Sequence, residues 1–192
     1  SKKCRPAWLN SDFSSAHKGE NLQHSIMATQ SNYDVLVIRH PESGSAEMAA
    51  SVSSKPVVNA GDGNNQHPTQ ALLDIYTIFE KHGRVDGLKV GFLGDVRNGR
   101  TVRSLAYLLA HYNDNELYFA SPPSLSVPDD FLSYLSRNGV RTEITDDVEK
   151  FLGEMDVLYV TRVQQERMKD EEYERITGDY GRFVIDAQRA SM

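Results

Sequence analysis

His67, Pro68, Thr69 and Gln70 open a segment of helical apolar spacing, directly behind the glycine- and asparagine-rich stretch "GDGNN". Proline suits the first position of a helix, where its missing N–H would have had no partner within the helix. His67 then falls at or near the N-cap, and Gln70 lies one turn on, on the same side. With the open N–H groups of a helix start, the two side chains can converge on one small polar ligand. The positive end of the helix dipole disfavours a protonated imidazole there. A neutral His67 can still donate a hydrogen bond to a carbonyl oxygen that gains negative charge during a reaction. The competing reading is that His67 is only a cap.

Arginines supply the second set. Arg39 follows the apolar run "VLVI", Arg97 and Arg100 follow "VGFLGD", and Arg162 follows "VLYVT" with Gln164 and Arg167 behind it. In open α/β sheets ligands bind at the carboxyl ends of the strands, so three strands would carry guanidinium groups to one edge. One such arginine is ordinarily a solvated surface residue; several on one edge ask for a reason. Guanidinium pairs with carboxylate and phosphate through two parallel hydrogen bonds, so this edge suits ligands with several negative oxygens. "GDVRNGRTVRS" lacks G-x-G-x-x-G and puts arginine where a close glycine approach is needed, which argues against a nicotinamide site.

These residues need a scaffold, and the periodicity supplies one. A short amphipathic helix carries Leu22 and Ile26 at i, i+4. Val35 to Ile38 reads as a strand buried on both faces, and "KPVVNAG" as a second strand of the same kind. The helix over 67–82 has Leu72, Ile75 and Phe79 on one stripe and Gly83 as its C-cap. Strands "LKVGFLGD", "ELYFASP", "VRTEITD" and "DVLYVTR" then alternate with helices "GRTVRSLAYLLAHY", "PDDFLSYLSRNG" and "VEKFLGEM". A short helical "DEEYERI" and a strand "RFVID" come last. Strands alternating with helices predict βαβ units and a parallel sheet covered on both faces. The expected fold is α/β: a doubly wound parallel sheet preceded by an incomplete parallel α/β domain, divided as 1–68 and 69–192. One helix and two strands are too little to bury a core alone, and the closing "AQRASM" reads as an unfinished helix, so the chain reads as a piece of something longer.

Composition narrows the function classes. The chain of 192 residues is 39% hydrophobic and 25% charged, with a formal net charge of −6. That balance fits a globular protein and argues against a general nucleic-acid binder. No apolar run approaches the ~20 residues that span a bilayer, so no membrane partner is expected. Cys4 is the lone cysteine, which rules out an internal disulfide and points to the reducing cytoplasm. The histidines are scattered, and no metal is expected.

"GDGNNQHPTQ", "HPTQALLD", "VIRHP", "GDVRNGRTVRSLA" and "VTRVQQER" together resemble, in order, the signature segments of the aspartate carbamoyltransferase family. The similarity runs from about residue 14 to residue 188. It implies carbamoyl transfer from carbamoyl phosphate to the amine of L-aspartate, in pyrimidine synthesis, without metal or organic cofactor. It makes 1–68 a partial carbamoyl-phosphate-binding domain and 69–192 an aspartate-binding domain that is incomplete at its C-terminal end. By position, Arg39 would bind the phosphate and carbonyl side of carbamoyl phosphate, His67 the carbonyl oxygen and Gln70 the carbamoyl amide. Arg100 and Arg162 would grip the two carboxylates of aspartate, with Gln164 in support. "SSAHKGE" looks like the loop whose Ser14 and Lys18 reach a neighbouring subunit's site, which implies a homotrimer with shared active sites. His67, Arg39 and Lys18 would be the catalytic set. The family's S-T-R-T-R and H-P-x-P-R segments are absent from these residues, and Arg97 stands where many relatives carry lysine. A non-catalytic fragment or pseudoenzyme is the alternative reading. Ornithine carbamoyltransferase is disfavoured by Thr69 and by the Arg162–Gln164 pair.

Overall fold

In the computed structural model, which describes residues 5–7, 21–165 and 168–189, two compact units meet between Gly63 and Asn64. The sequence reading had drawn its line between Pro68 and Thr69.

The first unit has helices α1 (Leu22–Thr29) and α2 (Ser45–Val52) and the parallel strands β1 (Leu36–His40) and β2 (Val57–Asp62). Asn21 starts α1, its side chain accepting from the Gln23 N–H at 3.2 Å, as an N-cap asparagine does. Ile26, Leu36 and Ala49 form a small core. The sequence reading had no helix at 45–52. "SAEMAASV" has no side-chain N-cap, and the chain enters it through Gly44 at φ 83°. The reading of β1 as buried on both faces is also corrected: Val37 is 68% exposed. A two-stranded sheet has helices to cover one face only, so alternate residues face out.

The carboxyl ends of β1 and β2 are tightly tied. Asp62 is buried, its Oδ1 accepting from Asn59 Nδ2 and its Oδ2 from the Gly44 N–H, both at 2.9 Å. Gly63, at φ 52°, passes so close to the turn after β1 that a Cβ would lie 2.6 Å from the Pro41 carbonyl oxygen. Only glycine meets both conditions.

The second unit is a four-stranded parallel sheet in the order β5 (Arg141–Thr145), β4 (Glu116–Ala120), β3 (Lys89–Gly94), β6 (Val157–Thr161). Helices α3 (Pro68–His82), α4 (Arg100–Leu109), α5 (Asp129–Arg137), α6 (Val148–Leu152) and α7 (Asp170–Tyr180) connect or flank the strands. Strand alternation sends Val90, Phe92, Leu117 and Phe119 into one core with Ile75 and Ile78 of α3, Val102 and Leu105 of α4 and Phe131 of α5. The intervening Leu93 and Ala120 enter a second core with Val148 and Phe183. Both sheet faces are therefore covered, as the doubly wound reading expects. Phe92 and Phe119 are register partners and stack at 5.2 Å, while Phe131 meets Phe119 edge-on at 5.7 Å.

Two local expectations are corrected here. Helix α3 and its Gly83 cap (φ 66°) stand as read, but the buried stripe is Ala71, Ile75 and Ile78; Leu72 and Phe79 are exposed. Which side of an amphipathic helix turns inward is decided by α4 packing against it, and a broad apolar stripe leaves that choice open. "RFVID" forms a 3-10 turn over Gly181–Phe183 in place of a strand, because Phe183 is drawn into the second core as a plug.

Two tyrosines, one within β4 and one joining α7 to β6, set an alkaline limit on stability. The Tyr118 hydroxyl donates to Glu116 Oε2 at 2.6 Å, and Glu116 also accepts from its register partner Arg141. The Tyr180 hydroxyl donates to the Thr161 carbonyl at 2.8 Å. The bond to Glu116, then burial, pushes Tyr118 up to about 12; burial, then the charge of Asp95, does the same for Tyr180. Groups raised in the folded state stabilise it fully below their unfolded value near 10, and that contribution is lost as pH climbs through about 12. Urea melts of the native protein are expected to lose stability over that window. A Tyr118→Phe/Tyr180→Phe variant should show a shallower decline, and equal slopes would remove these tyrosines as the cause.

Candidate active site

His67 is the N-cap of α3, with Pro68 at the first helical position. Its carbonyl accepts from the Gln70 and Ala71 N–H groups, while its side chain makes no cap hydrogen bond. The cap-only reading of the imidazole is thereby set aside. The Thr69 hydroxyl lies 3.3 Å from His67 Nδ1; a proton donated there makes Nε2–H the imidazole's remaining donor. The helix start is pinned from α4: the His67 N–H donates to Ser104 Oγ at 2.8 Å, and that hydroxyl donates to Gln66 Oε1 at 2.6 Å. Ser104 lies one turn along the helix that Arg100 begins. His67, Gln70 and Arg100 are thus held by two helices packed side by side.

The loops after β3 and β6 share an edge because the strands are neighbours, with Gly94 opposite Thr161. Gly94 sits at φ 113°, and a Cβ there would lie 2.2 Å from the Thr161 carbonyl oxygen and 2.6 Å from the Tyr180 hydroxyl. Asp95, fully buried, joins the two loops. Its Oδ1 takes the Asn98 N–H at 3.0 Å, shaping the turn into Arg100, and its Oδ2 takes the Gln164 N–H at 2.9 Å. Arg162 Nη1 donates to the Val163 carbonyl at 2.9 Å. Arg97 spans toward the loop after β4, donating to the Ser124 carbonyl at 3.1 Å.

Arg100, Arg162, Gln164, His67 and Gln70 all belong to the second unit. Arg39 belongs to the first, exposed where the β1–β2 register shifts between Ile38 and His40. Such irregularities re-aim a side chain at a strand end. Ser14 and Lys18 lie outside the described residues.

The sequence reading missed two carboxylates. Asp95 sits inside a motif read for its arginines, and an Asp before a turn capped by its own side chain is a recognisable signal. Asp74, on α3 one turn after Gln70, accepts from Gln70 Nε2 at 2.9 Å; the i, i+4 spacing carried that signal. Among the described residues no group of three His, Cys, Asp or Glu is placed to hold a metal, and no helix is long and apolar enough to cross a membrane.

An imidazole donor at a helix start, an amide beside it and guanidinium groups on adjoining strand ends can polarise a carbonyl and hold anions around it. Comparison with known proteins bears on which chemistry this is. Residues 4–80 match the carbamoyl-P binding domain of aspartate/ornithine carbamoyltransferases, and residues 86–192 match the Asp/Orn binding domain. Aspartate carbamoyltransferase 1 of Pisum sativum is 50% identical over 171 residues, covering 88% of this chain and 44% of the pea protein. The catalytic subunit from Thermococcus onnurineus is 52% identical over 167 residues, covering 86% of this chain and 54% of that one. The chain spans about half the length of these curated relatives. The crystal structure of aspartate transcarbamoylase from Trypanosoma cruzi in complex with N-(phosphonacetyl)-L-aspartic acid superposes with a TM-score of 0.87 at 38% identity. That match covers 95% of this chain and 59% of the other. With both of its domains matched along the sequence, the chain belongs to the aspartate/ornithine carbamoyltransferase family.

Proposed function

We propose that the protein transfers the carbamoyl group of carbamoyl phosphate to the amine of L-aspartate, giving N-carbamoyl-L-aspartate and phosphate, a step of pyrimidine synthesis. The observation that carries this reading is that the start of α3, with His67 and Gln70, is bonded to the helix begun by Arg100, while Asp95 ties the turn into Arg100 to the loop bearing Arg162 and Gln164. The Trypanosoma cruzi relative has been crystallised with carbamoyl phosphate and aspartate together, and with carbamoyl aspartate and phosphate.

The amine lone pair of aspartate attacks the carbonyl carbon, and a tetrahedral oxyanion forms. The carbon–oxygen bond to phosphate then breaks, and the proton lost by nitrogen leaves with phosphate. Nothing in this sequence needs a covalent nucleophile; it needs two anions positioned and one oxyanion stabilised. His67 donates to the carbonyl oxygen, with Arg39 and the Lys18 of a neighbouring subunit on the phosphate side. Gln70 accepts the carbamoyl N–H, and Ser14 joins Lys18. Arg100 and Arg162 pair with the aspartate carboxylates, with Gln164 beside them. The assembly is a homotrimer with shared sites, in the cytoplasm, which the lone Cys4 suits.

The test is an assay of the native protein for carbamoyl-aspartate, with native mass spectrometry reading the trimer and cell fractionation the location. Arg162→Ala is expected to raise the KM for aspartate on the order of a hundredfold, as loss of a charged pair partner does, and to leave that for carbamoyl phosphate little changed. Equal effects on both substrates would contradict the assignment. Binding of both substrates without turnover would favour a non-catalytic member of the family.

A further inference from the structure

Asp74 is a carboxylate that the transfer reaction does not use. Its Oδ1 accepts from Gln70 Nε2 at 2.9 Å, while its Oδ2 is buried with no hydrogen bond of normal geometry reaching it. Burial raises the pKa of the Tyr159 hydroxyl, a hydrogen bond with Thr101 lowers it, and the charge of the nearby Asp74 carboxylate and a hydrogen bond with it raise it further. Thr101 adjoins Arg100, and Tyr159 lies on β6 two residues before Thr161. Asp74 therefore sits among the elements that build the site, between Gln70 and the Tyr159 hydroxyl.

We propose that Asp74 is a positioning residue that fixes which end of the Gln70 amide faces the ligand, and so selects an acyl donor bearing an N–H. A carboxylate has lone pairs and no hydrogen to give, so only the Nε2 end of Gln70 can face it. The chemistry settles the amide orientation, and Oε1 becomes the end presented to the site. An acceptor there matches the N–H of a carbamoyl group. With the amide reversed, two NH2 groups would oppose each other, and a methyl in place of the carbamoyl NH2 would leave Oε1 unpaired. A site built to bond a substrate N–H discriminates strongly against the analogue without it, because its own polar group loses its partner. This inference rests on the function proposed above, and concerns how the site tells a carbamoyl donor from an acetyl one.

Asp74→Asn keeps the shape but allows either amide end of Gln70 to face residue 74. In the native full chain, the kcat/KM ratio of carbamoyl phosphate to acetyl phosphate is expected to fall by at least about tenfold, with the KM for aspartate and the melting temperature held. Adding Gln70→Glu to Asp74→Asn reverses the pair, because the new amide donates to a carboxylate whose second oxygen again faces the ligand. That double variant is expected to regain selectivity over Asp74→Asn alone. An unchanged ratio in Asp74→Asn, or equal losses with both donors, overturns the proposal and leaves Asp74 a packing residue. A wild-type protein that transfers no carbamoyl group overturns the functional reading itself and takes this inference with it.

Discussion

His67→Ala is expected to lower kcat by about 10²- to 10³-fold, the range seen when one oxyanion donor is removed, with carbamoyl phosphate binding largely kept. The structure makes this a clean experiment. The links of residue 67 to Ser104 and to the Gln70 and Ala71 N–H groups run through its backbone, and its side chain reaches the first turn of α3 only at the Thr69 hydroxyl. Alanine therefore keeps the backbone bonds of the helix start and removes the imidazole with its contact to Thr69. The unfolding midpoint should move little. Turnover within roughly a factor of two of wild type would end the oxyanion role of His67. A large fall in kcat together with a lower midpoint would instead implicate the position of the helix.

The second large effect is on stability. Phe119 is fully buried at the centre of the four-stranded sheet, stacked on Phe92 and met edge-on by Phe131. Phe119→Ala removes a ring from both contacts and opens a cavity between three elements, at an expected cost of about 3–5 kcal/mol. Domain stabilities are about 5–15 kcal/mol, so the variant should melt well below wild type. Phe119→Leu, which refills much of the volume, should recover a large part of the loss. A urea midpoint in Phe119→Ala close to wild type would mean that the aromatic cluster is not the keystone of this unit.

Much of the larger unit was legible in the sequence because its signals are local. The strands at 89–94, 116–120, 141–145 and 157–161 are short apolar or β-branched runs, each followed by a helical period. Pro68 and Gly83 mark the two ends of α3 by backbone chemistry alone. The arginines were legible because a parallel α/β pattern says in advance which end of a strand meets a ligand. Helix α2 was not legible. Its residues are small, its start has no side-chain cap, and its place depends on packing against β1 and β2.

The amino-acid order by itself determined the alternation of strands and helices, the start of α3 with His67 and Gln70, and the strand ends that carry Arg39, Arg100 and Arg162. These follow from periodicity and turn chemistry within a few residues. The tertiary structure decided which stripe of α3 is buried, that Val37 faces outward, and that Phe183 plugs a core instead of extending a sheet. It also decided that Asp95 joins the loops after β3 and β6, and that the Asp74 carboxylate lies beside Tyr159. Each of these choices rests on a partner far away in the chain, as Ser104 of α4 is to His67 and Gln164 after β6 is to Asp95, and only the folded arrangement brings such partners together.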